Sequence, residues 1–336
     1  MRVVCLSGGF GLDHVRLEER PEPVPGRGEV LVRVRAASLN HRDLLMAKGE
    51  YDRSLRGPLV LGSDACGEVV ALGEGARRFA AGDRVCPTLA RGWLEGPPGR
   101  DTPRRALGGP LDGTFAEWLV AGEEDLVRAP ATLGDVEAAT LPCAGVTAYR
   151  ALFEEGSVDA GSTVLVIGTG GVSMFALLLA RAAGARVVVV SRDAAKLERA
   201  LALGATHGID STQHPEWGVL AREWADGRGV DYVIEIGGAG TLAQSLRAVR
   251  AGGTIALIGT VAAGATPSLV PVVMRNVRLQ GIFVGPRSTF EALVERVERS
   301  RLAPVVDRVF PLAEYRAAFE YLESGRPFGK VALRMG

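Results

Sequence analysis

One segment constrains the fold of this chain more than any other. It is Thr163-Val164-Leu165-Val166-Ile167-Gly168-Thr169-Gly170-Gly171-Val172-Ser173, followed by the apolar stretch Met174–Ala183 and then Arg186–Val190. A β-branched, nearly uninterrupted run marks a strand covered on both faces. The glycines mark a tight turn, the next stretch a helix, and Arg186–Val190 a second buried strand. In that order they form the opening unit of a doubly wound sheet that holds a dinucleotide. Gly168 permits the turn, and Gly170 lets the backbone approach a pyrophosphate. Thr169, Gly171 and Val172 complete the helix start, whose free N–H groups and positive dipole end attract anions. Ser173 stands where Gly or Ala usually closes the helix against the strand, and its small hydroxyl side chain is accommodated there.

A chain of 336 residues has room for two domains. Hydrophobic residues at 47% and charged residues at 23% describe an ordinary globular composition. Lys+Arg and Asp+Glu both number 39, which argues against a nucleic-acid-binding surface or a polybasic membrane patch. The apolar stretch at Met1–Leu6 is too short for a signal peptide, and no segment reaches membrane-spanning length. Cys5, Cys66, Cys86 and Cys143 are scattered without a C-x-x-C pair. Neither a disulfide framework nor a zinc knuckle is expected, and a reducing cytoplasm suits the chain.

Residues 1–122 read as β-rich. Val30, Val32 and Val34 alternate with Leu31, Arg33 and Arg35, and short strands follow at Gly67–Leu72, Asp83–Pro87 and Thr114–Val120. The loop Thr88–Asp112, which carries Trp93, reads equally as a binding lid or as a solvated insertion. From Leu133 to Phe153 the pattern turns helical and is expected to break at Pro142. Strands at 163–168, 186–191, 206–210, 231–236, 253–259 and 277–284 alternate with helical segments, which implies an α/β, doubly wound parallel sheet. The tail reads as helix, strand, helix and a last strand, Gly329–Leu333, that returns to the N-terminal domain. The expected division is therefore 1–122 completed by 287–336, and 123–286. Substrate and nicotinamide are expected to meet in a cleft between the two domains.

The residue closing the second strand faces the adenosine ribose, where an acid favours NAD. Here it is Ser191, followed by Arg192, with Lys196 a helical turn on. Hydroxyl, guanidinium and ammonium suit a phosphate monoester, so NADP(H) is the expected cofactor. Asp193 is expected to cap the following helix. Gly237, Gly238, Ile258, Gly259, Phe283 and Val284 end later strands at the ligand-facing edge, where glycines allow close approach and aliphatic or aromatic groups press on a ring.

Further motifs run the length of the chain: Asn40-His41-Arg42-Asp43, Gly62-Ser63-Asp64 through Val70, Gly82-Asp83-Arg84-Val85, Leu141-Pro142-Cys143-Ala144-Gly145-Val146-Thr147-Ala148 and Phe328-Gly329-Lys330-Val331. Together with the glycine turn, in this order, the chain resembles a medium-chain dehydrogenase/reductase: a GroES-like catalytic domain plus a Rossmann domain. Within that superfamily it is similar to the zinc-independent alcohol dehydrogenase and quinone oxidoreductase branch. The resemblance implies that His41 lies at the cofactor pyrophosphate, that Thr147 touches the nicotinamide and that Lys330 belongs to the cofactor-binding set. Zinc-dependent relatives place Cys, His and Glu where this chain has Asn40, Ser63 and Asp64, which leaves Cys143 and Asp64 as the remaining donors. No metal is expected, because catalytic zinc needs three protein ligands. The resemblance also implies a homodimer joined through the sixth Rossmann strand.

Without a metal, the protein must polarise the acceptor through hydrogen bonds and supply a proton. An enolate formed by hydride addition to an enone suits hydrogen bonds better than a localised alkoxide does. Candidate catalytic residues are Asn40, Asp43 and Tyr51. Tyr51 reads as proton donor or as a loop tyrosine packed on the surface. Asn40 reads as a hydrogen-bond donor to cofactor or substrate, or as a turn former. Asp43 reads as an orienting or capping group. Trp93, Cys143 and Phe283 are the candidate substrate contacts. The expected function is a zinc-independent NADP(H)-dependent oxidoreductase acting on a small enone, quinone or enoyl compound. A zinc-free alcohol dehydrogenase or ketoreductase, and a non-catalytic nucleotide-binding protein, are the alternatives.

Overall fold

The computed structural model describes residues 1–55, 57–259, 264 and 267–336, which fall into two compact units. The first comprises Met1–Val146 with Gly285–Gly336, and the second Thr147–Val284.

The first unit is built on the long strand Glu29–Leu39, whose valines at 30, 32 and 34 are buried as their alternation with Leu31, Arg33 and Arg35 requires. It pairs antiparallel with Asp64–Leu72 and Trp118–Gly122, and on its other side with Lys330–Arg334. Among the described residues this sheet has seven strands, joined by a three-stranded sheet ordered Val15–Glu19, Arg2–Leu6, Leu59–Val60. The tail strand thus returns to the N-terminal fold, with Ala332 opposite Ser38 and Val331 opposite Leu39.

The unit boundary falls at 146 rather than 122. Leu126–Arg128 pairs with Arg84–Pro87, and Cys143 N–H donates to the buried Asp64 carboxylate at 2.9 Å, so residues 123–146 belong to the first core. Pro142 does not break the helical run. It lies in the first turn of the wide-turn segment Leu141–Gly145, where a missing N–H costs little, and the chain winds on through Val146–Tyr149 and Arg150–Glu154. The loop 88–112 is pinned near its ends and exposed over most of Leu94–Arg105, as a solvated insertion would be. Ala90 bridges to Ala106, Arg91 N–H donates to Arg105 O at 3.0 Å, and the Arg42 guanidinium holds Leu107 O and Gly109 O at 2.8 and 3.1 Å.

The second unit is the expected parallel sheet, in the order His207–Asp210, Arg186–Ser191, Thr163–Ile167, Val230–Glu235, Val249–Leu257, Arg278–Gly281. The strand order reverses beside Thr163–Ile167, which is where an open α/β sheet presents a ligand crevice. All five residues of that strand are buried. At about 1.5–3 kcal/mol per fully buried branched side chain, its apolar run is what fixes it at the centre.

Candidate active site

In the second unit the glycine turn has the geometry a pyrophosphate cradle needs. Gly168 has φ +73°, which an L side chain rarely adopts. Gly170 precedes the helix Gly171–Ala182 in extended conformation. A Cβ built on Gly170 would meet no atom of the described residues within 4 Å, which leaves space at the helix N-terminus for a ligand. Ser173 is fully buried and its hydroxyl donates to Ile167 O at 2.7 Å, tying helix to strand at the close contact. Thr169 is buried beside Gly170, and Gly171 and Val172 open the helix.

At the end of the second strand, Ser191 is buried and its Oγ accepts from Asp193 N–H at 3.2 Å, while Arg192 is exposed. Asp193 caps the next helix by accepting from Lys196 N–H at 3.1 Å. A residue the sequence reasoning missed, Glu235, shapes the fourth strand's end. Fully buried, it accepts from Gly237 N–H at 2.8 Å, Gly238 N–H at 3.0 Å and the hydroxyls of Thr241 and Ser245 at 2.5 Å. The available signal was an acid closing the strand directly after the apolar pair Val233-Ile234. Gly259 sits against this turn so tightly that a Cβ would fall 1.8 Å from Ile236 O, and Ile258 N–H donates to Glu235 O at 2.9 Å. Val284 holds φ +37°, a costly conformation for a β-branched residue. Its carbonyl and that of Phe283 accept from the buried Arg150 at 3.3 and 3.5 Å. Thr147 is buried on the helical segment Val146–Tyr149.

In the first unit a buried polar cluster forms where the strand Glu29–Leu39 meets the helix His41–Lys48. Lys330, 3% exposed, directs its ammonium at Leu39 O (2.8 Å), Asn40 Oδ1 (2.5 Å) and Asp64 Oδ2 (3.1 Å). These acceptors engage its three N–H groups within the first unit. Asp64 Oδ2 also accepts from Ser38 Oγ at 2.7 Å, and Oδ1 from Cys143 N–H at 2.9 Å. Asn40 Nδ2 lies 3.5 Å from Ser63 Oγ. Asp43 is fully buried and accepts from Asn40 N–H at 2.8 Å through Oδ2, while Oδ1 makes no hydrogen bond among the described residues and faces Arg42 at 3.7 Å. Burial pushes the Asp43 carboxyl up to about 6 from 3.8, against the pull of Arg42. Burial and the nearby Asp64 push the Cys143 thiol up to about 12. The signal for Asp64 and Lys330 was present in their motifs, but the pairing spans 266 positions and is set by the tail strand's register.

Other expected site residues lie outside this cluster. Tyr51 is 47% exposed, with the Arg42 guanidinium 5.5 Å from its ring centroid. Trp93 is buried, its indole N–H engaged by Gly96 O at 3.0 Å, and His41 is exposed at the helix start. Among the described residues no group of three or more His, Cys, Asp or Glu side chains is arranged to hold a metal ion. Among them also, no helix is long and apolar enough to cross a membrane.

Comparison with known proteins agrees with this architecture. The alcohol dehydrogenase GroES-like domain model matches residues 26–131 and the zinc-binding dehydrogenase model residues 171–299. A zinc-type alcohol dehydrogenase-like protein of Schizosaccharomyces pombe is 44% identical over 343 residues, covering 100% of this chain and 99% of that protein. An acryloyl-coenzyme A reductase of Metallosphaera sedula is 31% identical, covering 99% of each. Among solved structures, an NAD-dependent alcohol dehydrogenase superposes with a TM-score of 0.92 at 34% identity, covering 100% of both chains. With both family models matched in chain order and relatives aligned end to end, the chain belongs to the medium-chain dehydrogenase/reductase superfamily, as an alcohol dehydrogenase-like oxidoreductase of a nicotinamide-dependent family.

Proposed function

We propose that this protein is a zinc-independent, NADP(H)-dependent reductase of small activated carbonyl compounds: enones, quinones or enoyl-type double bonds. The observation that carries the reading is the Lys330 ammonium among Asn40, Ser63, Asp64 and Cys143, the positions that resemble the zinc ligands of relatives. A divalent cation there would meet a buried positive charge 3.1 Å from Asp64. The Asn40 carbonyl is already taken and Ser63 is a poor ligand, which leaves Asp64 and Cys143 where three protein ligands are needed. The donor set does not suit zinc.

A nicotinamide dinucleotide does suit the second unit, where Gly168 to Val172 with Gly237, Gly238 and Gly259 would hold it; bound in reduced form, it supplies hydride. Ser191 in place of an acid, with Arg192 and Lys196 following, favours a 2′-phosphate. Asn40 would donate to the acceptor oxygen and Tyr51 would deliver a proton, with Asp43 fixing the Asn40 backbone. Phe283, Val284 and Thr147 would flank the reacting ring, and Cys143 would border the acceptor. The acryloyl-coenzyme A reductase among the relatives supports a conjugated double bond as the target.

Turnover of an α,β-unsaturated ketone and of its saturated analogue, each with NADPH and NADH and with and without prior chelation, tests the reading. The expected result is NADPH-dependent reduction of the unsaturated ketone that survives chelation. Reaction of the saturated ketone alone, or activity restored only by a divalent ion, would overturn it.

We further infer a homodimer formed through the sheet edge Arg278–Gly281. Beside it the short helix Val270–Met274 exposes Val270, Val273 and Met274 at 63%, 73% and 75%, with Leu269 at 50%.

A further inference from the structure

We propose that Lys330 is a positioning residue that sets the side-chain amide of Asn40 as a hydrogen-bond donor to the acceptor's oxygen; this rests on the reductase reading above. An asparagine amide has an accepting end and a donating end, and an ammonium can only donate. With Lys330 Nζ 2.5 Å from one end of the amide, that end must be Oδ1. The NH2 group is thereby turned the opposite way, where its hydrogen-bond partner among the described residues is Ser63 Oγ at the long distance of 3.5 Å. The amide therefore keeps donor capacity for a further oxygen.

The lysine is itself held fast. Its remaining N–H groups go to Leu39 O and Asp64 Oδ2, and Asp64 is fixed by Ser38 Oγ and Cys143 N–H. Swinging the ammonium away would strand a fully buried carboxylate. Flipping the amide would set NH2 against NH3⁺. Asn40 also closes a capping box with Asp43, its side chain toward the Asp43 backbone N–H, and a second donor at that end again calls for Oδ1 there. The ammonium also draws electron density toward Oδ1, which strengthens the N–H groups as donors. A donor fixed before the reaction stabilises a developing enolate or alkoxide oxygen without reorganising. Positive charge sits behind the amide, so the negative charge forming in front of it is favoured.

Asn40→Asp, Lys330→Gln and the double variant test this. Rates are measured on whichever ketone the wild-type enzyme reduces, with NADPH binding and thermal unfolding followed alongside. Asn40→Asp keeps a partner for Lys330 but removes the donor. It is expected to remain folded, to bind NADPH within threefold of wild type and to lose at least 100-fold in kcat. Lys330→Gln frees the amide to flip and is expected to lose at least tenfold in kcat, yet to cost nothing further when added to Asn40→Asp. Asn40→Asp turning over within threefold of wild type overturns the donor assignment. Losses that multiply in the double variant overturn the action of Lys330 through Asn40. If Lys330→Gln does not fold, the Asn40→Asp result alone decides the donor. Failure of the wild type on every ketone overturns the reductase reading, and this inference with it.

Discussion

At the scale of single residues, chemistry here is set by what each polar group is denied. Asp43 is buried with one oxygen that faces Arg42 and makes no hydrogen bond among the described residues, and its carboxyl is raised to about 6 from 3.8. A raised folded-state value means the fold binds that proton more tightly than the unfolded chain. The stabilisation is complete below pH 3.8 and lost as pH climbs through 6, a change of about 3 kcal/mol at roughly 1.36 kcal/mol per unit. Urea unfolding of wild type and Asp43→Asn between pH 4 and 8 should show the wild type losing that advantage. A pH-independent difference would refute the assignment. For cofactor choice, Ser191→Asp with Arg192→Ile should move the NADPH/NADH ratio of kcat/KM at least tenfold toward NADH, about 1.4 kcal/mol. An unchanged ratio counts against the 2′-phosphate contact. Tyr51→Phe should lose roughly 10²- to 10⁴-fold in double-bond reduction with NADPH affinity kept. Undiminished turnover would remove Tyr51 as the acid.

At the scale of elements, the two glycines of the turn do different work, and their variants should separate. Gly168→Ala forces a side chain into φ +73° and places Cβ 3.0 Å from Ile236 Cδ1, at a cost of about 1–2 kcal/mol in stability. At Gly170 a Cβ meets nothing among the described residues, so Gly170→Ala should change stability by less than about 1 kcal/mol while weakening NADPH binding tenfold or more. Equal effects of the two on unfolding would be inconsistent with an open cradle. The elements themselves were largely legible, because period-two alternation at Val30–Arg35 and the buried run at Thr163–Ile167 are local signals. Less legible was whatever depended on distant pairing. Residues 123–146 were assigned to the wrong unit because the Leu126–Arg128 pairing with Arg84–Pro87 leaves no mark in composition. Pro142 misled because a proline in a first helical turn looks the same in sequence as one that ends a helix. Asp64 stood out as a departure from a metal site, but its counter-charge comes from a strand hundreds of positions away.

At the scale of the whole molecule, association is the property most open to test. The exposed apolar side chains of Leu269–Met274 beside the free edge Arg278–Gly281 predict that Val273→Glu with Met274→Glu shifts a dimer toward monomer, as read by sedimentation at micromolar concentration. A wild-type monomer, or a variant that still dimerises, would remove this face from consideration.

The return of Lys330–Arg334 to the strand Glu29–Leu39 also has a consequence for synthesis. Residues 147–284 are continuous and can collapse as soon as they clear the ribosome. The earlier-made portion cannot finish, because it lacks a strand that emerges only after them. Until that strand docks, Asp64 has no ammonium to face, and the nascent chain carries a carboxylate without its counter-charge in the first unit. Arrival of one late lysine would thus couple completion of folding to assembly of the chemistry.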